Sequence, residues 1–109
     1  MDATMTKGET KMAIGSIIYN QIGKSAFAMM GASNIMITKN GLQWKVGKNS
    51  KKVTHVTVTL EASDTYTVKF QKVGRSPSFK VTDIATAEDV YVENLHQVIQ
   101  DNTGLYLSL

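Results

Sequence analysis

Nine basic side chains lie in the middle of the chain, and they are its strongest candidates for chemistry. Between residues 39 and 80 they stand against two acids, Glu61 and Asp64, so this segment has a charge of +7. A surface of that kind attracts phosphate groups or an acidic protein. The side chains that we assign to the candidate binding surface are Lys45, Lys48, Lys51, Lys52, Lys69, Lys72, Arg75 and Lys80.

The two ends of the chain are charged differently. Residues 81–109 carry five acids and no lysine or arginine, a charge of −5, and residues 1–38 carry +1, so the net charge is +3. This layout fits a basic surface for an acidic partner, or a basic sheet that meets an acidic helix within the fold or in a second copy, as a homodimer. A solvated lysine face that only discourages edge aggregation is the plain alternative.

Nucleic acid is a second candidate partner, bound through phosphate contacts. A polar sheet face with a lysine-rich loop at residues 47–52 can follow a phosphate backbone. Base stacking needs exposed aromatic rings, but Trp44, Tyr66 and Phe70 are expected on the buried side of the sheet. Lysine outnumbers arginine 11 to 1, which also disfavours bidentate reading of bases.

Residue types that commonly catalyse reactions are present without a catalytic pattern. The chain has no cysteine, and neither His55 nor His96 has a second ligand at a metal-binding spacing. The adjacent acids Glu88-Asp89 are explained by an expected place in the first turn of a helix. Gly47-Lys48 lacks the other residues of a phosphate-binding loop. We therefore predict a non-enzymatic protein with no cofactor and no metal site.

The elements that position the basic residues begin with two helices. A stripe of isoleucines predicts a helix over residues 9–22 that ends at Gly23. Ser25 is the expected N-cap of a short second helix through Met30. Residues 1–8 are typical of a disordered lead-in.

Alternating apolar and polar residues then predict antiparallel strands. Asn40-Gly41, between two such runs, is a strong hairpin signal. Further alternating runs at 53–60 and 66–71 follow short polar connections, which favour hairpins over crossover helices. Phe79 and Val81 indicate a short fifth strand.

The end of the chain predicts one more helix and an apolar tail. Thr86 is the expected N-cap of that helix, and Gly104 is its expected stop. The tail at residues 105–109 is too apolar to be left in water, so it either docks on the domain or is an interaction element.

These elements predict one α+β domain over residues 1–109. We expect an antiparallel β-meander of four or five strands, residues 34–83, with the N-terminal and C-terminal helices packed on one face; helices at one end of the sheet are the alternative. No apolar run approaches the ~18 residues of a membrane span, so no membrane partner is expected. The predicted core is Ile14, Ile17, Ile18, Ile22, Phe27, Leu42, Trp44, Val46, Val56, Val58, Leu60, Tyr66, Val68, Phe70, Leu95, Val98 and Ile99.

Short segments at turns, core positions and caps carry a resemblance that covers most of the chain from Ile17 onward. They are Gln21-Ile22-Gly23, Phe27-Ala28-Met29-Met30-Gly31-Ala32, Asn40-Gly41-Leu42, Val56-Thr57-Val58-Thr59-Leu60, Asp64-Thr65-Tyr66, Val90-Tyr91, Leu95-His96 and Thr103-Gly104-Leu105-Tyr106-Leu107-Ser108-Leu109. In them the chain resembles a family of small proteins encoded by bacteriophages, prophages and conjugative elements.

The resemblance implies a phage or mobile-element accessory protein in the cytoplasm of a bacterial host. Proteins of this size and setting are often inhibitors of host defence, including anti-CRISPR proteins. The partner implied in this way is a host protein, such as a defence nuclease complex. None of the resembling segments is a catalytic signature.

Overall fold

The chain folds into two helices, a five-stranded sheet and a final helix. The computed structural model describes residues 7–74 and 80–107. Its elements are α1 Lys7–Ile22, α2 Lys24–Met29, β1 Ser33–Thr38, β2 Gly41–Lys45, β3 His55–Leu60, β4 Tyr66–Val73, β5 Val81–Val90, a 3-10 turn Val92–Asn94 and α3 Leu95–Thr103. All neighbouring strands pair antiparallel in the order β1-β2-β3-β4-β5. The predicted α+β meander is confirmed.

The helices cover one face of the sheet. Trp44 of β2 lies opposite Val56 of β3, Val56 lies opposite Phe70 of β4, and all three side chains are buried. Ile18 of α1 and Ile99 of α3 belong to the same core. Burial of one such side chain contributes roughly 1.5–3 kcal/mol, so this face supplies most of the stability.

Helix α1 approaches the first hairpin closely at Gly15. A Cβ atom at Gly15 would lie 2.9 Å from Cγ1 of Ile37 and 3.1 Å from the carbonyl oxygen of Gly41. Ile18 of α1 is buried, whereas the preceding residue Ile17 is 51% exposed. The prediction that Ile17 belongs to the core is therefore wrong, because Ile18, and not Ile17, faces the sheet.

The other predicted core residues are buried or packed against the core. Five residues in addition to the predicted core are buried: Ala26, Met30, Val53, Val90 and Leu107.

The segment after residue 80 differs most from expectation. Thr86 is not a helix N-cap, because it lies within β5 and pairs with Lys69 of β4. Helix α3 begins only at Leu95. Alanine and acidic residues favour a helix locally, but Ala85 and Ala87 alternate with polar neighbours and lie opposite core residues of β4. Pairing with β4 overrides the local helix preference.

The bounds of α1 and α2 also differ from those predicted from the sequence. Helix α1 begins at Lys7, two residues before its predicted start. The expected lead-in up to residue 6 lies outside the described residues, as does Phe79 of the predicted fifth strand. Helix α2 begins at Lys24 rather than after Ser25, and no side chain caps it.

The C-terminal tail docks on the domain at Leu107, whereas residues 108 and 109 lie outside the described residues. Leu107 is 2% exposed, and its backbone N–H donates a hydrogen bond to Oε1 of Gln100 over 2.9 Å. Between residues 7 and 107, leaving aside 75–79, no helix is long and apolar enough to cross a membrane.

Candidate functional site

A wide cleft opens where β2 leads into the loop to β3. It has a volume of about 1320 Å³ and lies between residues 45–55 and the end of β4 at residues 72–74. Among the described residues, its lining contains four lysines and no acid; the lysines are Lys45, Lys48, Lys52 and Lys72. We call this feature the lysine cleft. Because like charges around one concavity add their fields, it attracts anions more strongly than isolated surface lysines do.

The floor of the lysine cleft is apolar. Val46 and Val53 line it and are 5% and 2% exposed, since both also belong to the hydrophobic core. Val73 is half-buried and lines the same volume. The cleft therefore combines a cationic rim with an apolar base, which suits a ligand that carries both carboxylates and an apolar side chain.

Asn49 shapes the loop that carries the lysines. Its Nδ2 donates hydrogen bonds to the carbonyl oxygens of Gly47 (2.8 Å) and Val53 (2.7 Å). The N–H of Val53 donates in return to Oδ1 of Asn49 over 3.0 Å. An asparagine side chain can replace backbone partners in this way, which holds a turn without regular secondary structure.

The same loop is anchored to the rest of the fold on two sides. The N–H of Gly47 donates to the carbonyl oxygen of Met30, just after α2, over 2.9 Å. At the end of α3, a Cβ atom on Gly104 would lie 2.7 Å from Oγ of Ser50, so the loop packs against this helix end. A loop that is ordered before binding loses less conformational entropy when a ligand arrives.

His55 and Thr54 form a hydrogen-bonded group beside the lysines. Oγ1 of Thr54 lies 2.8 Å from Nδ1 of His55, accepts the N–H of Val73 over 2.8 Å and lies 3.3 Å from the carbonyl oxygen of Gln71. Burial, and then the charge of Lys45 opposite it, lower the pKa of His55 below its ordinary value of 6.5. The ring is therefore neutral at pH 7.

The structure gathers half of the predicted binding residues into this cleft. Lys51 is exposed on the same loop but does not line the cleft. Lys80 is exposed next to it, since its carbonyl oxygen accepts the N–H of Gly74 over 2.7 Å. Lys69 does not line the cleft and lies on the sheet face that the helices leave open, two residues along β4 from Gln71, the partner of His55. Arg75 lies outside the described residues.

The open sheet face is less basic than the sequence indicates. Lys69 lies between two threonines, Thr57 of β3 and Thr86 of β5. Nε2 of Gln71 donates to Oδ1 of Asp83 over 2.7 Å, so β5 brings a negative charge to this face. Lys45 and His55 of the cleft lie in one cross-strand row with Gln71 and Asp83, so the lysine cleft adjoins the open sheet face. The two surfaces differ in that Asp83 does not line the cleft.

Sequence reasoning overlooked Asn49, Thr54 and His55 as parts of the site. The signal for Asn49 was its place among glycine, lysine and serine, a composition typical of turns. The signal for His55 was its place at the first residue of a strand directly after the lysine loop. Neither signal indicates a ligand before the loop folds.

A smaller hollow offers shape without charge. It has a volume of about 310 Å³ and is lined by residues of α1, β1 and β2, none of them charged. Its lining is Gly15, Ser16, Tyr19, Asn20, Ile35, Ile37 and Leu42. Nothing in this hollow selects an ionic ligand, in contrast to the lysine cleft.

Other titratable groups do not form a second site in the part of the chain that the structure describes. There, no group of three or more histidine, aspartate or glutamate side chains could hold a metal ion. Nε2 of His96 donates to the carbonyl oxygen of Ile22 over 2.6 Å and so joins α3 to the end of α1.

Neither a family model, a curated protein nor a solved structure matches the chain.

Proposed function

We propose that this chain is a non-enzymatic binding protein whose lysine cleft holds an acidic segment of a partner protein. The observation that carries the proposal is the cluster of four lysines, without an acid, around an apolar floor. Carboxylates of the partner would pair with the ammonium groups of the rim. An apolar side chain between those carboxylates would contact Val73, which lines the same volume and is half-buried, so the contact has a hydrophobic contribution as well.

The lining favours an acidic protein segment over nucleic acid. Among the described residues that line the cleft, there is no phenylalanine, tyrosine or tryptophan ring for base stacking and no arginine for bidentate base contacts. Nucleic acid remains the second candidate, because four lysines beside Ser50 and Asn49 can contact successive phosphates.

The proposed setting is a bacterial host cytoplasm, with the chain acting as a phage or mobile-element accessory protein. Support for this setting comes from the resemblance of its turn, core and cap segments to such proteins. In that setting the partner is a host protein, and inhibition of a defence nuclease complex, in the manner of an anti-CRISPR protein, would follow from steric and electrostatic occlusion.

The binding test uses a capped hexapeptide, Glu-Glu-Leu-Glu-Glu-Leu, and its glutamine analogue. Calorimetry at low salt should show binding of the acidic peptide alone. The double variant Lys48→Glu with Lys52→Glu should weaken that binding at least ~10-fold, because it reverses two of the four rim charges. Labelled single- and double-stranded oligonucleotides serve as the competing ligand class.

Lys69→Glu is the matched control, since it reverses an exposed lysine on the open sheet face. Its affinity for the peptide should stay within about twofold of the unaltered chain. Oligonucleotide binding without peptide binding would favour the second candidate. Equal losses in the cleft variant and in Lys69→Glu would show that net charge, rather than the cleft, determines affinity.

A second copy of the chain is a competing source of acidic groups. Asp83 of β5 and Asp101 of α3 are exposed, and a lysine cleft of another molecule could bind them. Sedimentation over a concentration series at low and high salt measures this association. A monomer under all conditions removes the homodimer and leaves a foreign partner.

A further inference from the structure

We propose that His55 makes ligand binding by the lysine cleft depend on protons: the protonated ring adds a positive charge to the rim and strengthens the hold on an acidic segment. This inference rests on the proposed function and names its regulation. It requires that His55 lies in the cleft, that its ring can change charge without disturbing the fold, and that a bound anion raises its pKa.

The first requirement is met by position. His55 is the first residue of β3, lines the lysine cleft and lies opposite Lys45 of β2. Its ring is part-exposed, so an acidic ligand in the cleft can approach it. No other histidine lines this volume.

Thr54 meets the second requirement through its hydroxyl. A hydroxyl has one donor and two acceptor positions. When the neutral ring carries its proton on Nε2, Oγ1 of Thr54 accepts the N–H of Val73 and donates to Nδ1 of His55. After protonation, Nδ1 donates to Oγ1, and the hydroxyl proton turns to the carbonyl oxygen of Gln71. Every group keeps a partner in both states, so the change of charge leaves the backbone in place.

The charges around His55 meet the third requirement. Lys45 of β2 pairs with His55 on one side, and Gln71 of β4 pairs with it on the other. The side chain of Gln71 is hydrogen-bonded to Asp83 of β5, and Lys72 lines the same cleft. The ring's surroundings and Lys45 hold the pKa of His55 low in the free chain. A ligand carboxylate beside Lys45 offsets that positive charge and raises the pKa of His55 in the complex.

Linkage gives the direction of the effect. Since the pKa of His55 is higher in the complex than in the free chain, binding takes up a proton, and affinity rises as pH falls through the pKa of the complex. Each unit of difference between the two pKa values corresponds to about a tenfold change in affinity.

The experiment measures affinity for the capped peptide Glu-Glu-Leu-Glu-Glu-Leu at about pH 5.5 and about pH 7.5, between the pKa values of glutamate and lysine. We expect several-fold tighter binding at the lower pH. His55→Gln should remove this dependence, whereas His96→Gln should retain it, because His96 lies on α3 and bonds to Ile22 outside the cleft. Proton NMR titration of the unaltered chain should show the pKa of His55 rising when the peptide is added.

The outcomes separate the two proposals. Peptide binding with equal affinity at both pH values, or an unchanged dependence in His55→Gln, overturns the role of His55 and leaves the binding function standing. Absence of peptide binding at both pH values overturns both. Should His55→Gln fail to fold, as judged by its thermal unfolding, the NMR titration of the unaltered chain decides the question. A pKa of His55 that does not change when the peptide is added overturns the role of His55.

Discussion

The lysine cleft and the open sheet face both display lysines, but only the cleft combines them with shape and an apolar floor. In the cleft, Lys48 and Lys52 project from a loop held by Asn49, and no acid lines the volume. On the open face, Lys69 lies between Thr57 and Thr86. Asp83 pairs with Gln71, two residues further along β4.

The difference shows that lysine content alone does not indicate a binding surface. On a flat, solvated face a lysine contributes little beyond solubility, because water screens its charge. In a concave site over buried valines, the same charge acts on a ligand that has lost part of its water. Three changes test this contrast, apart from the binding and pH experiments above.

The largest effect is expected from Asn49→Ala. This change removes three hydrogen bonds of the lysine loop, so the free energy of unfolding should fall by about 3 kcal/mol and peptide affinity should fall with it. Chemical denaturation and calorimetry measure the two quantities. The matched change on the open face is Gln43→Ala, for which we expect at most about 0.5 kcal/mol. Similar losses of stability and of peptide affinity in both variants would show that the lysine loop matters no more for binding than the open face.

A smaller effect is expected from Val53→Ala in the floor of the cleft. Val53 is 2% exposed, so its truncation should lower the free energy of unfolding by about 2 kcal/mol and weaken binding of the leucine-containing peptide. Thr57→Ala, on the open face of the neighbouring strand, should stay within about 0.5 kcal/mol. Peptide affinity that is insensitive to Val53→Ala would mean that the ligand contacts the rim alone.

The smallest effect is expected from Asp83→Lys, which replaces an acid of the open face with a base. It removes an exposed hydrogen bond to Gln71, so the free energy of unfolding should change by about 0.5 kcal/mol. Peptide affinity should change by less than about twofold, because the flat face has no apolar floor. A new, salt-sensitive binding site on this variant would show that positive charge by itself is sufficient.

Much of the fold follows from local pattern. The hairpin at Asn40-Gly41, the alternation in β3 and β4, and the helix stop at Gly23 were all predicted, because turn chemistry and the period of apolar residues are encoded over a few neighbouring positions. Residues 84–94 were not, because Ala85 and Ala87 favour a helix unless a paired strand is already present.

The candidate site was predictable only in part. The sequence indicated eight basic residues, and the structure places four of them around one cleft while Lys69 lies outside its lining. The place of His55 beside Lys45 depends on the register between β2 and β3, which charge counting does not contain.

Sequence alone therefore sufficed for the strand order, the main helices and the concentration of positive charge in the middle of the chain, since each depends on residues close together along the chain. The lysine cleft, its apolar floor and the mixed charge of the open face were decided by tertiary structure. They arise where Asn49, the end of α3 and the long strand β5 meet residues distant in sequence, and only the packed fold brings those groups within hydrogen-bonding and electrostatic range.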